Sequence, residues 1–249
     1  DSIDVQQNWV YYGSGKCGSD EEELFTFGSS TFDPVANALW APGEKVPYAA
    51  IALMFEKCEK TTKRLKIISY LRDFFRSVIA LSPQYLCDCV YLCVNQVAPA
   101  YEGKELGIGE GTLQKALAEA TGSTVAHIKD KLREVGDLGA IAEDARSKQK
   151  TLIKPMKLTV PYVFSKFKEI SELSGSKSGD RRKDMIKQLL VSSVGREARF
   201  IARAMQGNLR IHMALLTVLR ALGEAVVLTP PVYPERSKED REGLAADLG

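Results

Sequence analysis

The spacing of apolar residues along this chain predicts a series of short amphipathic helices. Apolar side chains recur three or four positions apart, and breaks rich in glycine, serine and proline separate these stretches. Pro47 suits the first position of a helix. The apolar face of that helix is Tyr48, Ile51, Ala52, Phe55 and Cys58. Thr61 or Thr62 is predicted to cap a second helix, with an apolar stripe of Leu65, Ile68, Phe75, Val78 and Ile79.

Apolar stretches with helical spacing, separated by short breaks, continue to about residue 226. A third helix is predicted from Ser82-Pro83 to about Val97. Further helices are predicted around residues 113–120, 125–135, 160–170, 185–190, 198–205 and 214–226. Predicted stops are Gly122 and Gly136, and predicted caps are Ser123 or Thr124 and Thr159. Residues 146–157 are predicted to be a looser basic segment.

These patterns favour an all-α fold, with a single large domain of about nine to twelve short helices in two packed halves. No window shows the period-two alternation between hairpin turns that is typical of strands. The helical domain is predicted to span residues 32–230. Residues 1–31 mix glycine, serine and acidic side chains without a sustained period, so they are predicted to form a flexible arm. Residues 231–249 are predicted to be a linker.

Composition narrows the class of protein. A chain of 249 residues with 45% hydrophobic residues can bury a sizeable core. We find no apolar run near the roughly 20 residues that a membrane span needs, and we expect a soluble protein with no membrane partner. The five cysteines are an odd number. Cys87, Cys89 and Cys93 fall in one apolar helical stretch, where thiols usually pack as small hydrophobic groups, so a reducing compartment is expected.

The formal net charge of +2 hides an uneven distribution. Residues 1–45 hold two basic and eight acidic side chains, and residues 229–249 hold three and five, which leaves 29 basic and 19 acidic side chains between them. Most of this excess lies in residues 163–220, with twelve basic against five acidic side chains. A polyanion is one natural partner for such a region, and a solvated charged surface is the alternative.

Familiar nucleotide, metal and catalytic motifs do not account for the chain. Gly13-Ser-Gly-Lys16 lacks the earlier glycine and the Ser or Thr that a phosphate-binding loop requires, and the glycines at 107–111 lack dinucleotide spacing. The two histidines, His127 and His212, share no ligand spacing with the cysteines. We therefore expect no metal site, no catalytic residue and no cofactor in this chain.

Three glycine-containing breaks meet helix starts near basic residues, namely residues 107–111, 175–183 and 207–212. Free backbone N–H groups at a helix start can bind phosphate without reading sequence. Arg196, Arg199 and Arg203 follow at positions that share one helical face. A purely structural interpretation stays open, in which the glycines are C-caps and the arginines pair with Glu197 or Glu224.

An ordered series of motifs resembles eukaryotic ATP-dependent DNA ligases of the replicative type. The motifs are Phe32-Asp-Pro-Val35, Trp40-x-Pro-Gly-x-Lys-Val-Pro-Tyr48, Phe55-Glu-Lys57, Leu71-x-x-x-x-Arg-Ser-Val78, Leu81-Ser-Pro83, Glu105-Leu-Gly-Ile-Gly-Glu-Gly111, Gly136-Asp-Leu-Gly139, Ala145-Arg-Ser-x-Gln149, Val163-Phe-Ser-Lys-Phe167 and Glu197-Ala-Arg-Phe-Ile-Ala-Arg203. Their order and spacing run from about residue 32 to residue 230.

This resemblance implies a helical DNA-binding domain that lies across the minor groove of nicked duplex DNA and helps the whole enzyme to encircle the break. It places phosphate contacts at Lys66, near Arg76 and at residues 207–210. Together with the three glycine breaks, the predicted DNA-binding residues are Lys66, Arg76, Gly107, Gly109, Gly111, Lys177, Ser178, Arg181, Lys183, Gly207, Asn208, Arg210 and His212.

Two departures from the family pattern affect the expected function. The family's run of Gly, basic, Leu, Arg, apolar and Gly appears here as Gly207-Asn-Leu-Arg-Ile-His212, so Asn208 replaces a cation and His212 a glycine. The chain also lacks a Lys-x-Asp-Gly motif, whose lysine the family adenylates. The chain is therefore expected to be inactive alone, while ATP and magnesium are expected only for the full-length enzyme.

The resemblance also implies partners and a location. We expect nicked double-stranded DNA and the catalytic core of the same ligase as partners, with residues 231–249 leading toward that core. A monomer in the nucleus, acting in DNA replication, repair and recombination, follows from the family. The alternative is a helical protein–protein interaction scaffold with no direct DNA contact, which repeated helix-break-helix units would also suit.

Overall fold

The computed structural model describes residues 27–106, 108–149, 156–175 and 178–229. Over these residues the fold is all-α, as predicted, with ten α-helices and no β-strand. The helices are α1 Tyr48–Glu59, α2 Arg64–Leu81, α3 Leu86–Cys93, α4 Glu110–Thr121, α5 Val125–Val135, α6 Leu138–Lys148, α7 Val160–Glu172, α8 Ser178–Ser192, α9 Arg196–Met205 and α10 Leu215–Leu228. Short 3₁₀ turns occur at Pro83–Tyr85 and Ala100–Glu102.

Helix α1 begins at Tyr48, one residue after the predicted first position Pro47, and its start is tied to the start of α7. Pro47 precedes α1 in an extended conformation, and it forms an isolated antiparallel bridge with Thr159. The Tyr48 N–H donates to the Leu158 carbonyl at 2.9 Å, and the Val160 N–H donates to the Val46 carbonyl at 2.8 Å. These bonds satisfy backbone donors that a helix start leaves unpaired, so α1 and α7 begin side by side.

The start of α2 differs from the prediction. Lys63, not Thr61 or Thr62, is the N-cap residue, and its side chain makes no capping hydrogen bond. Leu65, predicted on the apolar stripe, is 71% exposed, whereas Ile67 and Ile68 are buried. The prediction for Leu65 was wrong because the buried face of α2 begins one turn later than the apolar spacing suggested.

The third helix is shorter than predicted. It ends at Cys93 rather than near Val97, and Asn95 follows with φ +53°. Asn tolerates this left-handed conformation better than most residues, so it can end a helix without glycine. Cys89 and Cys93 are buried as predicted, but Cys87 is exposed.

Helix α6 lies where the sequence favoured a break followed by a looser segment. Asp137 caps it by accepting the Gly139 N–H at 2.9 Å. Arg146, predicted to begin the basic segment, is a buried residue of this helix, and its Nη2 donates to the Val191 carbonyl at 2.6 Å. The prediction for residues 146–148 was therefore wrong, while residues 150–155 lie outside the described part of the chain.

The remaining helices lie close to their predicted positions, except that α8 begins at Ser178, so the prediction of a break was wrong for residues 178–183. Gly122 and Gly136 end α4 and α5 with φ +66° and +71°, which glycine adopts at low steric cost. Thr124 caps α5, and its hydroxyl accepts the His127 N–H at 3.2 Å. Thr159 precedes α7 without a side-chain capping bond.

The helices enclose one continuous hydrophobic core. On one side α2 packs against α10 and α1, and on the other α9 packs against α6 while α8 packs against α4. Helix α1 also contacts α9 and so joins the two groups. Phe27, within the predicted arm, is buried against Phe32 and Phe74. No described helix is long and apolar enough to cross a membrane.

Candidate nucleic-acid interface

The 207–212 turn has a fixed shape at the surface. Gly207 follows α9 with φ +77°, and Arg210 has φ +55°, which is uncommon for a residue with a side chain. The Asn208 Oδ1 accepts the Arg210 N–H at 2.9 Å. The Arg210 Nη2 donates to the Gly136 carbonyl at 2.6 Å, so the turn is held against the end of α5.

A buried arginine anchors this turn from below. Arg203 is 4% exposed, and its Nη2 lies 2.7 Å from Asp137 Oδ2 and 2.8 Å from Glu59 Oε1. Its Nη1 donates to the Leu209 carbonyl at 3.4 Å. Arg203 therefore links α1, the start of α6 and the turn, and the turn keeps one position relative to these helices.

The two carboxylates beside Arg203 stay ionised. Burial on its own would raise the pKa of Glu59 and of Asp137. Hydrogen bonds and charge attraction together outweigh burial, so the pKa of each carboxyl group lies below its ordinary value; Arg203 and Arg199 act on Glu59, and Arg203, the Gly139 N–H and Arg210 act on Asp137. The anchor is consequently a charged network rather than a neutral one.

The three arginines on one face of α9 point into the protein. Arg196 lies 3.2 Å from Glu56, and Arg199 lies 3.1 Å from Glu59 and also pairs with Glu143. The structural interpretation therefore holds for this face, although its predicted acidic partners were wrong. The actual partners come from α1, the start of α6 and α6 itself, far away in sequence.

Backbone donors remain available on the turn. The N–H groups of Leu209, Ile211 and His212 have no acceptor within the described residues. Asn208, Arg210 and His212 are exposed. N–H groups in a turn of this kind, close to a cation, are suited to an anion such as a phosphate oxygen.

The predicted contacts on α2 differ in exposure. Lys66 is exposed and makes no ion pair within the described chain. Arg76 is instead largely internal, because its guanidinium lies 5.7 Å from the centre of the Phe32 ring and its Nε donates to the Thr229 hydroxyl at 3.3 Å. Lys63 and Arg64, which the predicted set left out, are also exposed beside Lys66.

Of the predicted glycines at 107–111, Gly111 lines a shallow groove. Gly109 is the N-cap of α4 and Gly111 lies in its first turn, while Gly107 falls outside the described residues. The groove, of about 520 Å³, is lined by Glu110, Gly111, Gln114, Lys129, Leu132 and Arg133. The Glu110 carboxylate at the helix start accepts a hydrogen bond from Gln114 at 2.6 Å, and its charge opposes a second anion there.

The predicted residues near the start of α8 form a separate group. Ser178 begins the helix, and Arg181 is exposed without an ion pair within the described residues. Lys183 is paired with Glu119 at 2.8 Å, and Lys177 lies outside the described part of the chain. Glu119 is near the C-terminal end of α4, so Lys183 lies at the opposite end of this helix from Gly109.

Comparison with known protein families identifies the family of this chain. A family described as DNA ligase N terminus matches residues 47–223, which includes the start of every described α-helix. The chain belongs to this DNA ligase family. The match covers the α2 cations, the α4 glycines and the 207–212 turn of this DNA ligase N-terminal domain.

Curated relatives agree with the family match. The domain is 47% identical over 201 residues to DNA ligase 1 of Dictyostelium discoideum, with 81% of the chain aligned. It is 42% identical to DNA ligase 1 of Arabidopsis thaliana over 79% of the chain, and 41% identical to DNA ligase 1 of Drosophila melanogaster over 91%. The chain spans only 17%, 25% and 30% of the length of these three relatives.

The described residues of this DNA ligase N-terminal domain contain no group of three or more His, Cys, Asp or Glu side chains that could hold a metal ion. His127 and His212 are both exposed, and the whole sequence lacks the Lys-x-Asp-Gly motif. ATP and magnesium therefore remain an expectation for a full-length ligase.

Sequence reasoning placed the turn but missed its anchor. Asn208 and His212, which depart from the family pattern, occupy a turn that is nevertheless well defined, because Arg203 and Asp137 support it. Neither Glu59 nor Asp137 carried a local signal of this role, since each meets Arg203 only through the packing of α1 and α6 on α9.

Proposed function

We propose that this chain is the DNA-binding module of an ATP-dependent DNA ligase and that it binds nicked duplex DNA. The observation that carries the proposal is the anchored 207–212 turn, which presents Arg210 on the surface and contains three backbone N–H groups without an acceptor among the described residues. Such groups bind phosphate oxygens and carry no base-reading pattern. Binding without sequence preference suits the sealing of nicks in any sequence.

The division of the cations supports a polyanionic partner. Arg146 forms a hydrogen bond within the protein, and Arg199 and Arg203 form ion pairs with carboxylates of the protein. By contrast, Lys66 and Arg181 are exposed and make no ion pair within the described residues. Cations that no protein carboxylate neutralises are available to phosphate, and each such contact releases counterions from DNA.

The contribution of this chain to ligation would be binding and placement. ATP and magnesium would supply nucleotide transfer in a catalytic core that carries the adenylated lysine. Within this chain, Arg210 and the turn would hold phosphates on the minor-groove side, which fixes the position of the nick relative to that core. Orientation of reacting groups is itself a large part of catalysis. We place the assembled enzyme in the nucleus, with this chain as a monomer.

Arg210→Ala tests the proposal directly. We expect the variant to bind every nicked duplex more weakly by about 1 to 2 kcal/mol, because one charged phosphate contact is lost. Fluorescence anisotropy over a salt series measures the affinity and its salt dependence, whose slope should fall by about one counterion. The matched control is Lys148→Ala, since Lys148 is exposed but pairs with Asp144 at 2.6 Å.

Titration of the parent chain with nicked duplex over the same salt series tests the broader proposal. Absent binding at low ionic strength, or binding that salt does not weaken, would overturn a phosphate-based interface. A second measurement adds the chain to a separately supplied ligase catalytic core and follows nick sealing. Stimulation by the parent and a weaker effect of Arg210→Ala would support a role in placement.

A further inference from the structure

Two large apolar side chains stand out on the surface formed by α2 and α10. Leu65 and Leu216 are each 71% exposed, and Leu215 and Leu219 are 52% and 47% exposed. Single exposed leucines are common on proteins, but neighbouring ones often mark a contact surface. The position of Leu65 relative to Leu216 therefore decides whether they form one surface.

Two contacts fix the register of the helices. Arg72 Nη1 lies 3.9 Å from Glu224 Oε2, and Arg76 Nε donates to the Thr229 hydroxyl at 3.3 Å. Arg76 comes four residues after Arg72 in α2. Its partner Thr229, which directly follows α10, comes five residues after Glu224. The two helices consequently run in the same direction, and their N-terminal ends lie together.

This register brings the two leucines to the same end of the interface. Leu65 precedes Arg72 by seven residues, and Leu216 precedes Glu224 by eight, which is about two helical turns in each case. Residues seven or eight positions apart fall within the same broad face of a helix. Leu65 and Leu216 therefore occupy matching positions at the N-terminal end of the α2–α10 interface, and we call them the paired leucines.

The two chain segments that carry the paired leucines contain basic side chains and no acidic ones. Neither residues 60–72 nor residues 206–223 contain an aspartate or a glutamate. Lys63, Arg64 and Lys66 lie beside Leu65 and are exposed. Arg210 is exposed on the turn that leads into α10, and its Nε lies 3.9 Å from Asp137 Oδ1. Apolar side chains on two segments that also carry exposed cations are complementary to a surface with an apolar strip between two rows of anions.

The minor groove of duplex DNA has this character, because sugar edges lie between two phosphate rows and apolar side chains can enter it. A protein partner fits less well, since two leucines provide a small area beside the roughly 1,200 to 2,000 Å² of a stable protein interface. We propose that the paired leucines pack against deoxyribose in the minor groove of the duplex that Lys66 and Arg210 hold by its phosphates. This inference rests on the proposed function.

The test compares Leu65→Ala, Leu216→Ala and the double variant with the parent on nicked DNA over a salt series. Loss of both leucines should weaken binding about tenfold at every salt concentration, as expected for lost apolar contact area. The salt slope should stay at the parent value, because a leucine releases no counterions. Lys66→Ala should instead lower the slope by about one. Val135→Ala, at an exposed apolar residue on α5, is the control.

A nicked RNA duplex of the same sequence tests whether the leucines contact the minor groove, because RNA keeps the phosphates but has a different groove. Its minor groove is wide, shallow and lined by 2′-hydroxyl groups, so the parent and the double variant should bind it equally. An equal leucine effect on DNA and RNA would overturn the minor-groove assignment.

The titrations also separate this inference from the proposed function. Parent-like binding of DNA by the double variant would overturn the inference and leave the proposed function intact, with the leucines then assigned to a protein partner. A parent chain that binds no DNA would overturn both. Thermal unfolding of each variant shows that a loss of affinity is not a loss of fold.

Discussion

At the scale of single residues, Ser77 has an unusual environment within α2. It is fully buried, and its hydroxyl has no hydrogen-bond partner among the described residues. A buried hydroxyl without a partner has lost its bonds to water without replacement. We therefore expect Ser77→Ala to raise the free energy of unfolding by about 1 kcal/mol, as measured by urea denaturation.

A second buried serine provides the control for this prediction. The Ser193 hydroxyl donates to the Leu190 carbonyl at 2.8 Å. Ser193→Ala removes that bond, so it should lower the free energy of unfolding. A destabilised Ser77→Ala variant would show that the Ser77 hydroxyl has a partner that the geometry does not reveal.

Individual arginines show how far sequence reasoning reached at the candidate site. Their spacing correctly placed Arg196, Arg199 and Arg203 on one face of a helix, but it could not tell whether that face was inside or outside. The burial of Arg203, for example, depends on Glu59 and Asp137, which lie 144 and 66 residues away from it. The sequence distinguished Arg210 from the three arginines of α9 only because Arg210 comes after Gly207, which follows the end of that helix.

At the scale of helices, the contact between α6 and α9 depends on Gly139. A Cβ atom at this position would lie 2.7 Å from the Arg199 carbonyl oxygen and 2.7 Å from Arg203 Cγ. The first neighbour is backbone, so the two helices would have to separate. We expect Gly139→Ala to lower the free energy of unfolding by about 1 to 3 kcal/mol, measured by denaturant titration.

Gly111→Ala is the matched control for the helix contact. Gly111 also lies in a helix, but an added Cβ would meet no atom within 4 Å. Alanine is the better helix former, so this variant should be neutral or slightly more stable. Equal effects of the two substitutions would argue against close packing at Gly139.

The same glycine explains why α6 escaped prediction. Gly136-Asp-Leu-Gly139 has the composition of a turn, and glycine weakens a helix in isolation. The helix forms nevertheless, because Asp137 caps it and the missing Cβ allows α9 to approach. Helices α1, α4, α5 and α7–α10 were predictable because their apolar spacing, caps and stops agree with one another. α6 depends on a tertiary contact that no local pattern contains.

At the scale of the whole molecule, the interior charges and the exposed cations have different roles. Glu59, Arg203 and Asp137 connect helices from both ends of the domain, and they support the turn that we propose binds phosphate. Folding and the candidate interface therefore share one network. The sequence could place the turn by its family motif, but the shared network follows only from how α1, α6 and α9 pack.

This shared network predicts a dependence of stability on pH. The pKa values of Glu59 and Asp137 in the folded protein lie below their unfolded values, because Arg203 and its neighbouring cations and hydrogen-bond donors together outweigh the opposing effect of burial. Their contribution is therefore fully present above the unfolded pKa values, and it is lost as pH falls through the folded ones. We expect the free energy of unfolding to decrease from about pH 5 downward.

Glu59→Gln isolates one part of this acid response. The substitution removes one group that takes up a proton on unfolding in acid, so the free energy of unfolding should fall less steeply with pH than in the parent. At neutral pH the variant should be less stable, because Arg203 and Arg199 lose a charged partner near the protein interior. Urea denaturation of both proteins between pH 3 and pH 7 measures these effects. If the free energy of unfolding fell equally steeply with decreasing pH in the two proteins, Glu59 would keep an ordinary pKa. The charged anchor beneath the turn would then depend on Asp137 alone.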